Sequence, residues 1–114
     1  MKNVIAPDAD LSKTDMSGTN LQGVYLTDAN LSGSSLIATN LCQANLVGAN
    51  LRQANLTQAN LMNADLRWAN LENANLTQAD LTGANLSNAR LTNTKMTKIK
   101  FDNQTVFPID FKLK

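Results

Sequence analysis

Residues 53–66 read QANLTQANLMNADL, with Leu at 56, 61 and 66, Ala at 54, 59 and 64, and Asn or Asp between them. The period is five residues, which neither regular element has. An α-helix advances ~100° per residue, so five residues rotate ~140° and the leucines would spiral around every side. In a flat strand side chains alternate faces, and an odd period sends successive leucines to opposite sides. A short extended piece followed by a bend satisfies the pattern. Ala and Leu two residues apart share a face, and a corner every five residues keeps that face turned toward one axis.

Outward from this stretch the pattern runs almost the whole chain. Taking the Leu as the centre of each unit, centres run from Leu11 to Phe101 and define 19 units over residues 9–103. Sixteen centres are Leu, the others being Met16, Met96 and Phe101, and the residue two before the centre is Ala in 12 of the 19. Repetition this regular outranks any local propensity. All five glycines fall two residues after a centre, and Asn63, Asn73, Asn88, Asn93 and Asn103 share that slot. Gly and Asn best tolerate the positive φ that the second central position of a type II turn demands. Corners holding Gln, Lys or Trp are expected to use type I turns. The Asn before each centre is expected to bond corner backbone groups, a structural duty.

Composition bounds the function. The chain has 114 residues, enough for one domain with a core, and a formal net charge of +1, which argues against general binding to nucleic acid or an anionic membrane. It has no histidine, so the commonest general base and metal ligand is missing. The single cysteine, Cys42, allows no internal disulfide and fits a reducing compartment. The start, MKNVIAPDAD, lacks the apolar run of a secretory signal, and no stretch is long and apolar enough to span a membrane. A cytoplasmic location is expected. With no Ser–His or Cys–His pairing, no two carboxylates expected across a cleft, no phosphate loop and one glutamate, Glu72, the chain is read as a non-enzyme without cofactor or metal.

Tandem A-(D/N)-L-X-X resembles the pentapeptide-repeat family, and the resemblance covers 95 of 114 residues. It implies an all-β fold: a right-handed quadrilateral parallel β-helix, four units per coil, about 4.75 coils. At ~4.8 Å per rung such a rod is roughly 23 Å long. Residues 1–8 read as a lead-in, 9–103 as the repeat domain and 104–114 as a C-terminal cap. The cap, QTVFPIDFKLK, resembles the T-x-F-P tails of many bacterial members. In it Val106 and Phe111 keep the five-residue spacing, Phe107, Pro108 and Ile109 interrupt it, and the whole is expected to fold over the last coil as a lid. The VIA stretch at residues 4–6 makes a poorer cover for the other end.

A filled interior leaves the outside for function. The side built from residues 24–28, 44–48, 64–68 and 84–88 collects Tyr25, Val47, Arg67 and Trp68, residue types rich in binding hot spots, and is the candidate protein-binding face. The bland alternative is that Trp68 merely lies over Gly48. Charge is polarised. Lys2 and Lys13 against Asp8, Asp10, Asp15 and Asp28 give −2 over residues 1–30, while six Lys and Arg against Asp102 and Asp110 give +4 over residues 90–114. Arg90, Lys95 and Lys100 form a collar, not the stripe that a nucleic-acid footprint needs. Cys42, beside Met62 and Gln22, reads as an ordinary outward thiol. The leading function is a non-catalytic scaffold for an unidentified protein partner. The alternative that the resemblance offers is duplex-DNA mimicry toward a type II topoisomerase, which calls for a longer rod with an acidic face. The expected state is a monomer or weak homodimer.

Overall fold

The corners set the path of the chain. In the computed structural model, which describes residues 5–112, most central residues open a turn closed by the N–H three residues on. Ala29 donates to the Leu26 carbonyl and Ala59 to that of Leu56, each at 3.0 Å. The second central position of every corner from Asp8 to Lys98 has φ between 56° and 71°. Type II demands that sign and type I forbids it. The expected type I turns at Gln, Lys and Trp are therefore corrected: Lys13 sits at 56°, Gln43 at 60° and Trp68 at 64°. The cause is the ladder. Each corner N–H from Asp8 to Gln78 donates to the next coil, Gln43 to Met62 (2.9 Å) and Trp68 to Ser87 (3.1 Å), and before Lys98 the Thr97 carbonyl accepts from Gln78 (2.9 Å), so partners on neighbouring coils override local preference.

Parallel bridges join each outward slot to the one four units later, from Ile5–Tyr25 to Asp80–Lys100. Four corners per turn of the rod close a square coil, and the stack is a right-handed parallel β-helix. Only the residue before each centre enters a bridge, so the sides are rungs and not long strands. The rod measures 33 × 23 × 22 Å. The repeats alone account for about 23 Å of its length at ~4.8 Å per rung.

Numbering sides by their outward columns gives Ile5, Tyr25, Asn45, Asp65, Asn85 and Val106 on the first side. Asp10 to Arg90 form the second, Asp15 to Lys95 the third and Asn20 to Lys100 the fourth. Inside, every central leucine from Leu31 to Leu86 is 0% exposed, and the Ala slot beside it is closed too. Each such leucine contributes ~1.5–3 kcal/mol, so this ladder is the main stabilising element. Where the Ala slot holds a hydroxyl, that group turns to a carbonyl: Ser34 to Leu31 (2.7 Å), Thr39 to Met16 (2.9 Å) and Thr94 to Leu71 (2.7 Å). No buried side-chain polar atom among the described residues lacks a partner.

Both ends depart from the simple count. Ile5 pairs with Tyr25 and Asp8 has corner geometry, so the ladder reaches back into the stretch read as a lead-in. Ala6, too small to register as a centre, fills the central slot there. Val4 and Lys2 lie outside the described residues, as do Leu113 and Lys114. At the other end Asn85 pairs with Val106, one position later than the register of the other bridges would place its partner. The Asp102 carboxylate accepts from the N–H of Gly83 (3.1 Å) and Gln104 (3.0 Å), and the chain turns one residue late. Asn103 accordingly lacks the positive φ expected of it. Thr105 then takes the inward slot, Val106 the outward slot at 44% exposure, and Phe107 the slot that packs on the core. This reverses the reading of Val106 as keeping the pattern and Phe107 as breaking it. Phe107 meets Phe101 edge-on at 5.7 Å and stacks on Phe111 at 4.9 Å. These rings lie across the last coil, although Leu91 and Met96 remain only half-buried.

Candidate protein-binding face

The Asn slot explains why most of the outer surface is fixed and polar. From Asp10 to Asn85 every such residue except Tyr25 and Ser35 accepts, through its side-chain oxygen, the N–H two residues on. That N–H begins the corner and has no ladder partner, so the Asn oxygen replaces water there.

The first side breaks this rule. Tyr25 holds an Asn slot, is half exposed, and stands on the same column as Ile5, itself 71% exposed. With no oxygen at Tyr25 to serve the corner, the Thr27 hydroxyl reaches down to Asn45 at 3.3 Å. Val47 is half-buried, its N–H held by Asn45 at 3.1 Å. Arg67 grips Asp65 through Nε (2.8 and 3.1 Å) and a terminal nitrogen (2.8 Å). Those bonds hold the Asp65 carboxyl below its ordinary range despite partial burial. They also fix the Arg67 plane, which stays half exposed.

Trp68 occupies the adjoining corner at φ 64° and is 65% exposed. A bulky residue in the left-handed region costs roughly 1–2 kcal/mol. The space above Gly48 is filled by the Asp28 carboxylate, with which a Cβ at Gly48 would collide. The idea that Trp68 shelters Gly48 is thereby corrected, because corner side chains lean toward the following coil, as Lys13 does over Gly33.

The structure thus brings Tyr25, Val47, Arg67 and Trp68 onto one flat side and adds Ile5 and Val106 at its ends. Ile5 could have been found by counting one coil back from Tyr25. Val106 was hidden by the inserted residue. Elsewhere, Cys42 is half-buried with its N–H on Asn40 (3.0 Å), and Arg90 reaches Glu72 at 3.4 Å. Among the described residues no three His, Cys, Asp or Glu side chains stand close enough to hold a metal ion.

The family model for pentapeptide repeats matches residues 2–33, 34–73 and 59–97. A pentapeptide-repeat protein from the thylakoid lumen of Arabidopsis thaliana is 34% identical, with a TM-score of 0.80 over 91% of this chain and 71% of that one. The Nostoc protein HetL, involved in regulating heterocyst differentiation, is 36% identical, with a TM-score of 0.72 over 88% of this chain and 46% of HetL. Rfr23 from a Cyanothece cyanobacterium is 27% identical with a TM-score of 0.61, covering 93% and 89% of the two chains. Comparison with curated proteins gives no match. Its repeats, its square parallel coils and these relatives agree that the chain belongs to the pentapeptide-repeat family.

Proposed function

We propose that this chain is a non-catalytic scaffold that presents its first side to a protein partner, with Tyr25, Val47, Arg67 and Trp68 as the contact. Trp68 carries the reading. It is strained and largely exposed, and an indole beside a pre-fixed guanidinium suits a binding anchor. Of the six large apolar side chains that stand exposed among the described residues, Ile5, Tyr25, Trp68 and Val106 belong to this one side. That HetL takes part in regulation is consistent with a family member that works by contact and not by catalysis.

The DNA-mimic alternative needs an acidic face. The outward columns between Asn30 and Asn85 carry only Asp65 and Asp80, and Asp65 is paired with Arg67. Nothing observed favours it, and a supercoiling assay with purified gyrase tests it directly.

The scaffold reading is tested by affinity capture from the native host. The wild type is compared with Tyr25→Ala/Trp68→Ala and with Thr77→Ala on the opposite side. A partner lost only from the double variant supports the first side. A partner that tolerates the double variant but is lost with Thr77→Ala excludes it.

A further inference from the structure

On the last coil the second side has an open ladder edge, and that edge lies in a groove. Inside the rod an outward residue donates to the Ala-slot carbonyl of the preceding coil and accepts from the central N–H beside it. Arg90 does so with Ala69 (2.9 Å) and Leu71 (2.8 Å), and the Thr92 carbonyl accepts from Asn73 (3.0 Å). One coil later the same three groups recur without partners. The Ala89 carbonyl and the N–H groups of Leu91 and Asn93 bond no described residue.

The tail does not return to fill them. Phe111 donates to the Pro108 carbonyl (3.0 Å), so residues 108–111 close a turn on themselves. Between residues 87–92 and 106–111 a groove of about 860 Å³ is left, within the size range of binding pockets. Leu91 lines it, only half-buried, together with Phe107 and Phe111.

We propose that this groove takes an extended strand of a partner protein, added in parallel to the second side and carrying an acidic residue followed by an apolar one. Strand addition of this kind draws affinity from main-chain bonds and specificity from alternate side chains. The bonds repeat those of Arg90 and Thr92 to the coil beneath. The acidic residue donates to Ala89 and accepts from Leu91, and the residue two positions on accepts from Asn93.

The side chains follow from the alternation of a strand. The first points outward over Arg90, whose side chain is 66% exposed and, although 3.4 Å from Glu72, has donors to spare. A carboxylate fits there. The second points inward onto Leu91, where an unpaired polar group would be costly. Asp110 lines the groove as well and disfavours further acids. Lys95, Lys98, Lys100 and Lys112 outnumber Asp102 and Asp110 around this end and steer an acidic segment toward it. The strand begins one side beyond Val106, which fills the slot beside Asn85, so the two do not compete. The first coil has an open edge too, but its outward residues are Asp10 and Asp15, which repel the same strand.

Fluorescence anisotropy on the full chain tests this with a labelled peptide, Gly-Ser-Asp-Leu-Thr-Gly-Ser, and amide exchange locates the contact. At about ten times Kd the peptide should slow exchange at Leu91 and Asn93 about tenfold and leave Met96 and Lys98, on the third side, unchanged. Methylating the peptide's Asp nitrogen should abolish binding. Replacing that Asp by Lys should weaken it about tenfold, and Arg90→Glu should reverse the preference. The peptide changes leave the protein untouched, so they decide alone if circular dichroism shows Arg90→Glu to be unfolded. No anisotropy change overturns the proposal, as does binding that survives methylation, ignores the charge over Arg90 or leaves Leu91 and Asn93 exchanging as before. Protection of both amides in the peptide-free chain overturns it too. If independent of concentration, such protection means that the tail covers the edge, and if it rises with concentration, that a second copy does.

Discussion

Ala38 shows at one residue what the repeat imposes. It holds a corner at φ 57° and is exposed, so it has the strain of the left-handed region and no packing to justify a side chain. Ala38→Gly should stabilise the rod by about 1 kcal/mol, the relief of that strain less the added freedom of the unfolded chain. Ala38→Val should destabilise it, since β-branching is worst at positive φ. Urea midpoints decide, and a valine variant as stable as the glycine variant would show that the corner can relax. The inward slot is less forgiving. Leu61→Asn, at a position 0% exposed, should cost at least the ~2–5 kcal/mol of a leucine truncation plus that of a buried amide. Gln58→Asn on the adjacent corner should cost nothing measurable. The sequence made the inward residues legible because Ala and Leu recur without ambiguity. It misread the Gln, Lys and Trp corners because turn type was judged from each residue alone, while the deciding hydrogen bond comes from a residue on the neighbouring coil.

At the scale of the rung, the Asn slot is where charge enters the fold. Bonds from the Ser12 hydroxyl and N–H hold the Asp10 carboxyl below its ordinary range. The Ser17 N–H and hydroxyl do so for Asp15, and Arg67 does so for Asp65. At Asp102 desolvation pulls upward, but donors from Gly83, Gln104 and Thr105 outweigh it. Carboxylates depressed in the folded state stabilise fully above their unfolded value of ~3.9, and that contribution is lost as pH falls toward the folded values. The chain has no histidine, so no side chain of ordinary pKa titrates between them and neutrality. The thermal midpoint should therefore be flat from about pH 5 to about pH 7.5 and fall below about pH 4. Asp65→Asn should shrink the fall, and a midpoint that rises on acidification would contradict the assignment. The late turn at Asp102 escaped the sequence for a related reason. One inserted residue is invisible to a five-residue count, and what fixes it is a carboxylate accepting from Gly83 on another coil.

Across the whole molecule, burial grades from the middle outward. Central leucines from Leu31 to Leu86 are wholly enclosed, while Leu11 and Met16 at one end and Leu91 and Met96 at the other are half-buried. A solenoid coil touches only its neighbours, so its stability is the sum of local terms and interfaces, and a terminal coil lacks one interface. The ends should open without the middle. The candidate face spans this gradient, with Ile5 and Tyr25 on the weaker coils and Trp68 on the stronger. A partner that touches both would stabilise the N-terminal coils by mass action. Amide exchange resolves this coil by coil. Exchange should be slowest at Leu41 to Leu66, whose N–H groups bond the next coil and whose side chains are enclosed. It should be fastest at Leu91, Asn93, Met96 and Lys98, which have no described acceptor. Phe111→Ala should speed exchange around Leu86 and leave Leu51 unchanged, because the C-terminal segment reaches the core only through the last coil. Uniform protection from Leu21 to Lys100, moving as one block in the variant, would mean that the rod opens as a single unit and that its ends have no independent equilibrium.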